Sequence, residues 1–291
     1  MQALVVGCGY LGERVARRWS AAGHAVHVLT RSAERGRTFA DRGWRPVLGD
    51  VAEPASLAAL PPCDVVLFAV GFDRGGPHPK RTVYVDGLEN VLHSAAGAGA
   101  GQGRSPRWIT ISSTSVYGQT GGEWVDEDSP ARPTAEGGQI CLEAEQRVEA
   151  WRARTGGVAS VLRLSGIYGP GRLLARAQQL RDRKPFTGRG DAWLNLIHVD
   201  DAASLVCRIA EMVAPPPRLL VTDDRPIPRS EYYSLLARLA DAPPPEFAAE
   251  GAGSDLNKRC SNQRLRSLGL SLSYPNIDLG LPHSWQETPS A

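Results

Sequence analysis

Lysine is almost missing from this chain. Lys80, Lys184 and Lys258 are the only three, and arginine carries the rest of the positive charge. Chemistry that needs an amine therefore has few donors to draw on. A dominant sign of charge is missing too: 33 basic residues against 31 acidic ones leave a net charge of +2, which gives no reason to expect nucleic acid or a membrane surface as partner. The cysteines Cys8, Cys63, Cys141, Cys207 and Cys260 form no CxxC pair and no ligand-like spacing with histidine. Neither a metal site nor a disulfide framework is expected, and a reducing compartment is. No apolar run approaches the roughly 18 residues of a membrane span. The first residues enter a strand without a basic leader, so a soluble cytoplasmic protein is the expectation.

What is present alternates. Short apolar runs, ALVVG, AVHVLT, RPVLGD, DVVLFAVG, RWITISS and ASVLRLSGIYG, are separated by helical patterns such as ERVARRWSAAG and VYVDGLENVLHSAAGAG. Strands this apolar are buried on both faces, and the alternation predicts an α/β fold, a Rossmann-type doubly wound parallel sheet. The Gly/Ala-rich stretch Gly97 to Gly103 reads as a loop. After Gly169 the alternation fails, although DDAASLVCRIAEMV reads as a helix returning to the sheet and RSEYYSLLARL as another. The expected division is a nucleotide domain of residues 1–169 plus 196–213 and a small substrate lobe of 170–195 plus 214–291, with an irregular tail from Gly251.

GCGYLG places Gly7, Gly9 and Gly12 in GxGxxG spacing between a strand and a helix, the context in which this motif binds a dinucleotide. Gly7 permits the turn, Gly9 lets backbone approach a pyrophosphate, and Gly12 lets the helix pack. Tyr10 and Leu11 lie inside the same loop. NAD sites place an acid at the end of the second strand to hold the ribose 2′-hydroxyl. Here that position reads Thr30, Arg31, Ser32, which suits a 2′-phosphate and favours NADP(H) over NAD(H). Asp50 and Val51 follow the third strand, at the adenine edge. Ala69, Val70 and Gly71 close the fourth.

ISSTSVYG, VDEDSPARP, LRLSGIYGPGR and NLIHVDDAA, in that order, resemble successive motifs of the extended short-chain dehydrogenase/reductase superfamily, also called the NAD-dependent epimerase/dehydratase family. The resemblance runs from Met1 to about Val213, and the tail is similar to a bacterial subgroup of atypical members. It implies hydride transfer to or from a bound nicotinamide, with a Ser/Thr, a Tyr and a Lys at the active centre. It also implies a homodimer formed through helices near Asn90 and Glu145. The Ser/Thr position falls on Ser113. The family's glutamate matches Glu145, which puts Cys141 at the lysine and Gly137 at the tyrosine, so YxxxK is missing. A further departure places Tyr84 where the family has an asparagine facing the active centre.

The proton donor must then lie elsewhere. Tyr84 is the leading candidate and Tyr117 and Tyr168 are alternatives; water, His198 or Cys141 could also supply the proton while Ser113 donates to developing negative charge. Losing a positioned general acid costs about 10²–10⁴ in rate, which an activated acceptor such as an imine tolerates best. Tyr117, Tyr168, Arg172, Asn195 and His198 are candidate contacts for a small-molecule substrate, an anionic one included. Arg172 and Arg189 are placed to meet an anionic substrate such as a diphosphate or carboxylate; the tail residues Asn257, Lys258 and Arg259 could close the site, and Lys258 is the one lysine considered for the missing role. A silent dinucleotide-binding protein is the contrasting expectation, and a non-redox isomerase or lyase a third.

Overall fold

In a computed structural model the structure describes residues 1–100, 105–248 and 256–288. The chain opens with β1 (Gln2–Val6), α1 (Gly12–Ala21), β2 (Ala25–Thr30), α2 (Ala33–Asp41), β3 (Arg45–Leu48) and β4 (Val65–Phe68). Helix α1 buries Val15, Ala16 and Trp19 along one side, the helical spacing of an amphipathic face. It stops at Gly23, which takes a φ of +77°. Ser32 starts α2 by accepting the Arg35 N–H at 3.2 Å, an N-cap.

A π-helical turn (Thr82–Asp86) leads into α3 (Gly87–Ala100), then come β5 (Arg107–Ser113) and the short β6 (Glu123–Val125). Helix α3 thus carries through Ala100, past the start of the expected Gly97 loop, and the rest of that loop, 101–104, lies outside the described residues. Helix α4 (Glu136–Thr155) buries Ile140, Ala144, Val148 and Trp151 at three- and four-residue spacing and ends at Gly156 with a φ of +66°, the left-handed cap that glycine favours.

The expected sixth strand divides at Ser165 into β7 (Ala159–Leu164) and β8 (Gly166–Tyr168). Next come α5 (Leu174–Arg181), β9 (Trp193–Leu194), β10 (Leu196–His198) and α6 (Val199–Glu211), then β11 (Arg218–Val221), β12 (Ile227–Pro228) and α7 (Arg229–Leu239). The tail after the undescribed residues 249–255 is not irregular as expected: it forms β13 (Lys258–Cys260), α8 (Gln263–Ser267) and α9 (Ile277–Gln286).

The central sheet has seven strands in the order β11-β7-β5-β4-β1-β2-β3. Val6 at the end of β1 is in register with Leu29 of β2 on one side and Phe68 of β4 on the other. Strand β11 is a seventh member that sequence periodicity did not single out. The order reverses between β1 and β4, and ligands of such sheets bind outside the carboxyl ends of the strands at that switch. No helix among the described residues is long and apolar enough to cross a membrane.

Two compact units divide the chain. One comprises Met1–Val116, Arg132–Arg163 and Ala203–Leu219. Its core includes Leu4, Val66, Leu88, Trp108 and Trp151. The other comprises Tyr117–Ala131, Leu164–Ala202 and Leu220–Ala291, so residues 117–131 group with it rather than with the nucleotide-binding strands. It pairs β6 with β13, β8 with β10 and β9 with β12, around a core that includes Tyr168, Phe186, Tyr233 and Leu281.

Candidate functional site

The loop after β1 turns at Gly7, whose φ is +93° and where a Cβ would stand 2.5 Å from the Ala69 carbonyl and the Val70 nitrogen. No side chain fits there. At Gly12 a Cβ would meet the Gly7 oxygen at 2.3 Å, so α1 can begin this close to β1 only with glycine. Gly9 has a different reason: a Cβ on it would meet no protein atom within 4 Å, so protein packing does not require its bareness.

Around this turn lies a cavity of about 390 Å³, at the switch point between β1 and β4. Gly7, Cys8 and Gly9 form one wall; Thr30, Arg31 and Arg35 a second; Asp50, Val51 and the run from Val70 to Asp73 line it further. Of the residues expected at the cofactor, Tyr10, Leu11, Gly12, Ser32 and Ala69 do not line it. Leu11 is buried, Tyr10 lies 4.3 Å beneath the Arg14 guanidinium, and the Ser32 hydroxyl is taken up as the cap of α2. The Arg31 guanidinium is held loosely, Nη1 at 3.8 Å from Asp50 Oδ2 and Nη2 at 3.5 Å from Asp73 Oδ2. Arg35 donates to the Cys8 carbonyl at 2.6 Å. Burial in the same loop pushes the Cys8 thiol up to about 12, which keeps it protonated and inert. Phe72, Asp73 and His78 also line the cavity; no motif marks their polar, glycine-rich stretch in the sequence.

A second, smaller cavity of about 120 Å³ shares Val70 with the first. It brings together all three expected catalytic residues, Ser113, Tyr84 and Cys141, with Thr110, Ser112 and Glu145. Ser113 ends β5, and its Oγ accepts the Ser115 N–H at 3.1 Å, which leaves its own hydrogen to donate. Thr110 Oγ1 is buried and has no hydrogen-bond partner among the described residues. Tyr84 comes from the π-helical turn, a distortion frequent at functional sites. Burial, then the neighbouring Cys141, raise its phenol pKa, while the Phe72 N–H at the hydroxyl lowers it. The net rise makes Tyr84 by itself a poor exchanger of protons near neutrality.

Helix α4 approaches this cavity through its glycines. A Cβ at Gly138 would stand 2.3 Å from the Ser115 carbonyl, so the helix can close on the loop after β5 only with glycine here. At Gly137 the obstacle is different: a Cβ would come 2.8 Å from the ammonium nitrogen of Lys80. That Nζ also lies 5.4 Å from the Tyr84 ring centroid. Burial raises the Cys141 thiol, and the Lys80 charge and the Ser115 hydroxyl pull it back down. Lys80 was not among the residues expected at the site. Below these residues Glu145 accepts from Ser112 Oγ at 2.5 Å and pairs with Arg163.

The remaining candidates belong to the second unit. Tyr117 is fully buried and its hydroxyl donates to the Asp126 carbonyl at 2.6 Å. Asn195 donates to the Lys258 carbonyl at 2.9 Å and accepts the Cys260 N–H at 2.6 Å, which fastens β13. His198 is buried; its Nδ1 accepts the Asp200 N–H at 3.2 Å, so Nε2 carries the proton that faces Ser284 Oγ at 3.0 Å. Tyr168 stands edge-on to His198, ring centroids 5.2 Å apart, and burial pushes its phenol pKa up. Arg172 is exposed, Arg189 pairs with Asp191 at 2.6 Å, and Arg259 lies between the Trp124 and Trp193 rings. Burial lowers the Lys258 pKa.

Comparison with known proteins follows this geometry. The model of the NAD dependent epimerase/dehydratase family matches residues 3–221. The chain is 28 % identical over 287 residues to Protein YeeZ of Escherichia coli strain K12, covering 94 % of this chain and 96 % of that protein. It is 28 % identical over 263 residues to the 3-diazoavenalumate denitrifying reductase of a Streptomyces species, covering 84 % of this chain and 83 % of that one. Among solved structures, a candidate NAD-dependent epimerase/dehydratase of Methylobacillus flagellatus superposes with a TM-score of 0.78 at 31 % identity, over 98 % of this chain and 97 % of that one. With the glycine turn, the switch-point cavity and a family match over most of its length, the chain belongs to the NAD-dependent epimerase/dehydratase family.

Proposed function

We propose that the protein is an NAD(P)-dependent oxidoreductase or epimerase-like enzyme that favours NADP(H) and works without the family's tyrosine as proton donor. The observation that carries this reading is the switch-point cavity, with Gly7 and Gly9 on one wall and Arg31 and Arg35 on the next. Backbone at Gly9 and the N-terminus of α1 suit a pyrophosphate. The Arg31 contacts to Asp50 and Asp73, at 3.8 and 3.5 Å, are long for charge-assisted bonds, so the guanidinium can turn toward a 2′-phosphate. A bound nicotinamide would supply or accept the hydride.

Ser113 offers its hydroxyl hydrogen to the substrate atom on which negative charge develops. By the family's motif spacing, Gly137 and Cys141 occupy the tyrosine and lysine places, and a lost general acid costs about 10²–10⁴ in rate. An activated electrophile is therefore the favoured acceptor. The Streptomyces relative is named as a reductase of a diazo compound, and release of nitrogen on hydride arrival is a step that leans little on a proton donor. Gly137 and Cys141 equally favour the second reading, a dinucleotide-binding protein without turnover.

Consumption of NADPH with imine, quinone and diazo acceptors separates the two. Turnover that falls about 10- to 100-fold in Ser113→Ala supports the enzyme. Tight binding with no turnover on any acceptor supports the silent protein.

A further inference from the structure

Lys80 is one of three lysines in the chain, and the fold delivers its ammonium to Gly137, a position on α4 without a side chain one turn from Cys141. We propose that Lys80 supplies the positive charge of the reaction centre, with Nζ seated over Gly137 and presented to an electron-rich atom of the substrate. This rests on the reading of the adjoining cavity as a dinucleotide site.

Three observations place the group. Nζ lies 2.8 Å from where a Gly137 Cβ would be, so a side chain at that position would push the ammonium aside from the place it now takes. It stands 5.4 Å from the centroid of Tyr84, a residue lining the small cavity with Ser113 and Cys141. Its neighbour Arg81 takes the carboxylates Glu143 and Asp86, and among the described residues no carboxylate pairs with Lys80. The ammonium is half-buried, and the cavity lined by Tyr84 and Cys141 also holds the Thr110 hydroxyl, which has no partner among the described residues.

The chemistry that fits is stabilisation of charge on a heteroatom. A bound reduced nicotinamide would supply the hydride to the carbon of a C=O or C=N group, and the π pair would move to the heteroatom. An N–H of Lys80 hydrogen-bonds to that atom and passes it the proton. The neutral amine regains a proton from water. The substrate class is then a carbonyl or imine compound, and an acidic group beside the reacting atom would strengthen its binding.

Cys141 reports on this charge without any substrate. Its alkylation, measured at that residue by mass spectrometry, is compared for iodoacetate and iodoacetamide at low salt. The wild type is expected to favour the anionic reagent by about threefold to tenfold over a free thiol's ratio. Lys80→Met should abolish the preference, Gly137→Leu should reduce it by displacing Nζ, and high salt should erase it in the wild type. An equal ratio in wild type and Lys80→Met, or a Cys141 that neither reagent reaches, overturns the proposal. Dinucleotide binding is measured on the same samples. Its failure beside an intact iodoacetate preference would sink the functional reading and leave the charge in place, and the converse result would sink only Lys80.

Discussion

The Glu145 carboxylate and the Arg163 guanidinium meet at 2.6 Å with each side chain only 1 % exposed. The pair ties α4, which carries Gly137 and Cys141, to β7 of the central sheet. Removing one partner strands a charge in the core, where the loss is about 3–5 kcal/mol. Arg163→Met should therefore lower stability by that amount in urea unfolding, and Glu145→Gln combined with Arg163→Met should recover most of it. Equal losses in the single and double variants would show that the pair contributes packing alone.

Gly7 and Gly9 sit two residues apart in one loop and are glycines for different reasons. Gly7→Ala meets a φ of +93° and backbone at 2.5 Å, so it should unfold more easily by at least about 1–2 kcal/mol, the cost of a left-handed residue alone. Gly9→Ala meets no protein atom within 4 Å. Its melting temperature should stay near that of the wild type while NADPH affinity falls about tenfold or more, since the added methyl enters the space a pyrophosphate would approach. Calorimetry of both variants checks the contrast.

Asp223 governs a pH dependence. It is buried, the Arg225 N–H reaches its Oδ1 at 3.2 Å, and its Oδ2 has no partner among the described residues. Burial, helped by the nearby Asp224 and Asp201 and opposed by the Arg225 N–H and charge, pushes it from 3.8 up to about 8. The folded protein then holds a proton that the unfolded chain releases above pH ~4. Stability should fall as pH rises from about 4 to 8, at up to about 1.4 kcal/mol per pH unit from this group, and level off above. Asp223→Asn should flatten the melting-temperature profile across that window. A slope unchanged in the variant would assign it to another group.

The nucleotide half was legible because its signals are local. GCGYLG places glycines where the chain's own turn forbids a Cβ, and strands β1 to β5 are apolar runs whose ends the sheet brings to one edge. Ser113, Tyr84 and Cys141 could be picked by spacing within motifs, and they line one cavity. Lys80 could not. It lies in a stretch with no periodicity, and its meeting with Gly137 depends on how the π-helical turn lies against α4, which no spacing along the chain encodes. Lys258, which the sequence offers for the missing role, begins β13, in register with Glu123 of β6. The tail hid β13 and α8 because elements of 3 and 5 residues carry too few turns to show a period, and Pro282 breaks the helical signal of α9.

The proposed preference for NADP(H) depends on Arg31 and its neighbours meeting a 2′-phosphate. The most direct measurement is calorimetric titration of wild type and Arg31→Ala with NADPH and NADH. The wild type is expected to bind NADPH at least about tenfold more tightly, a difference of about 1.4 kcal/mol, and Arg31→Ala to bind the two alike. Binding of neither nucleotide at millimolar concentration, or a preference for NADH that Arg31→Ala leaves unchanged, would contradict it.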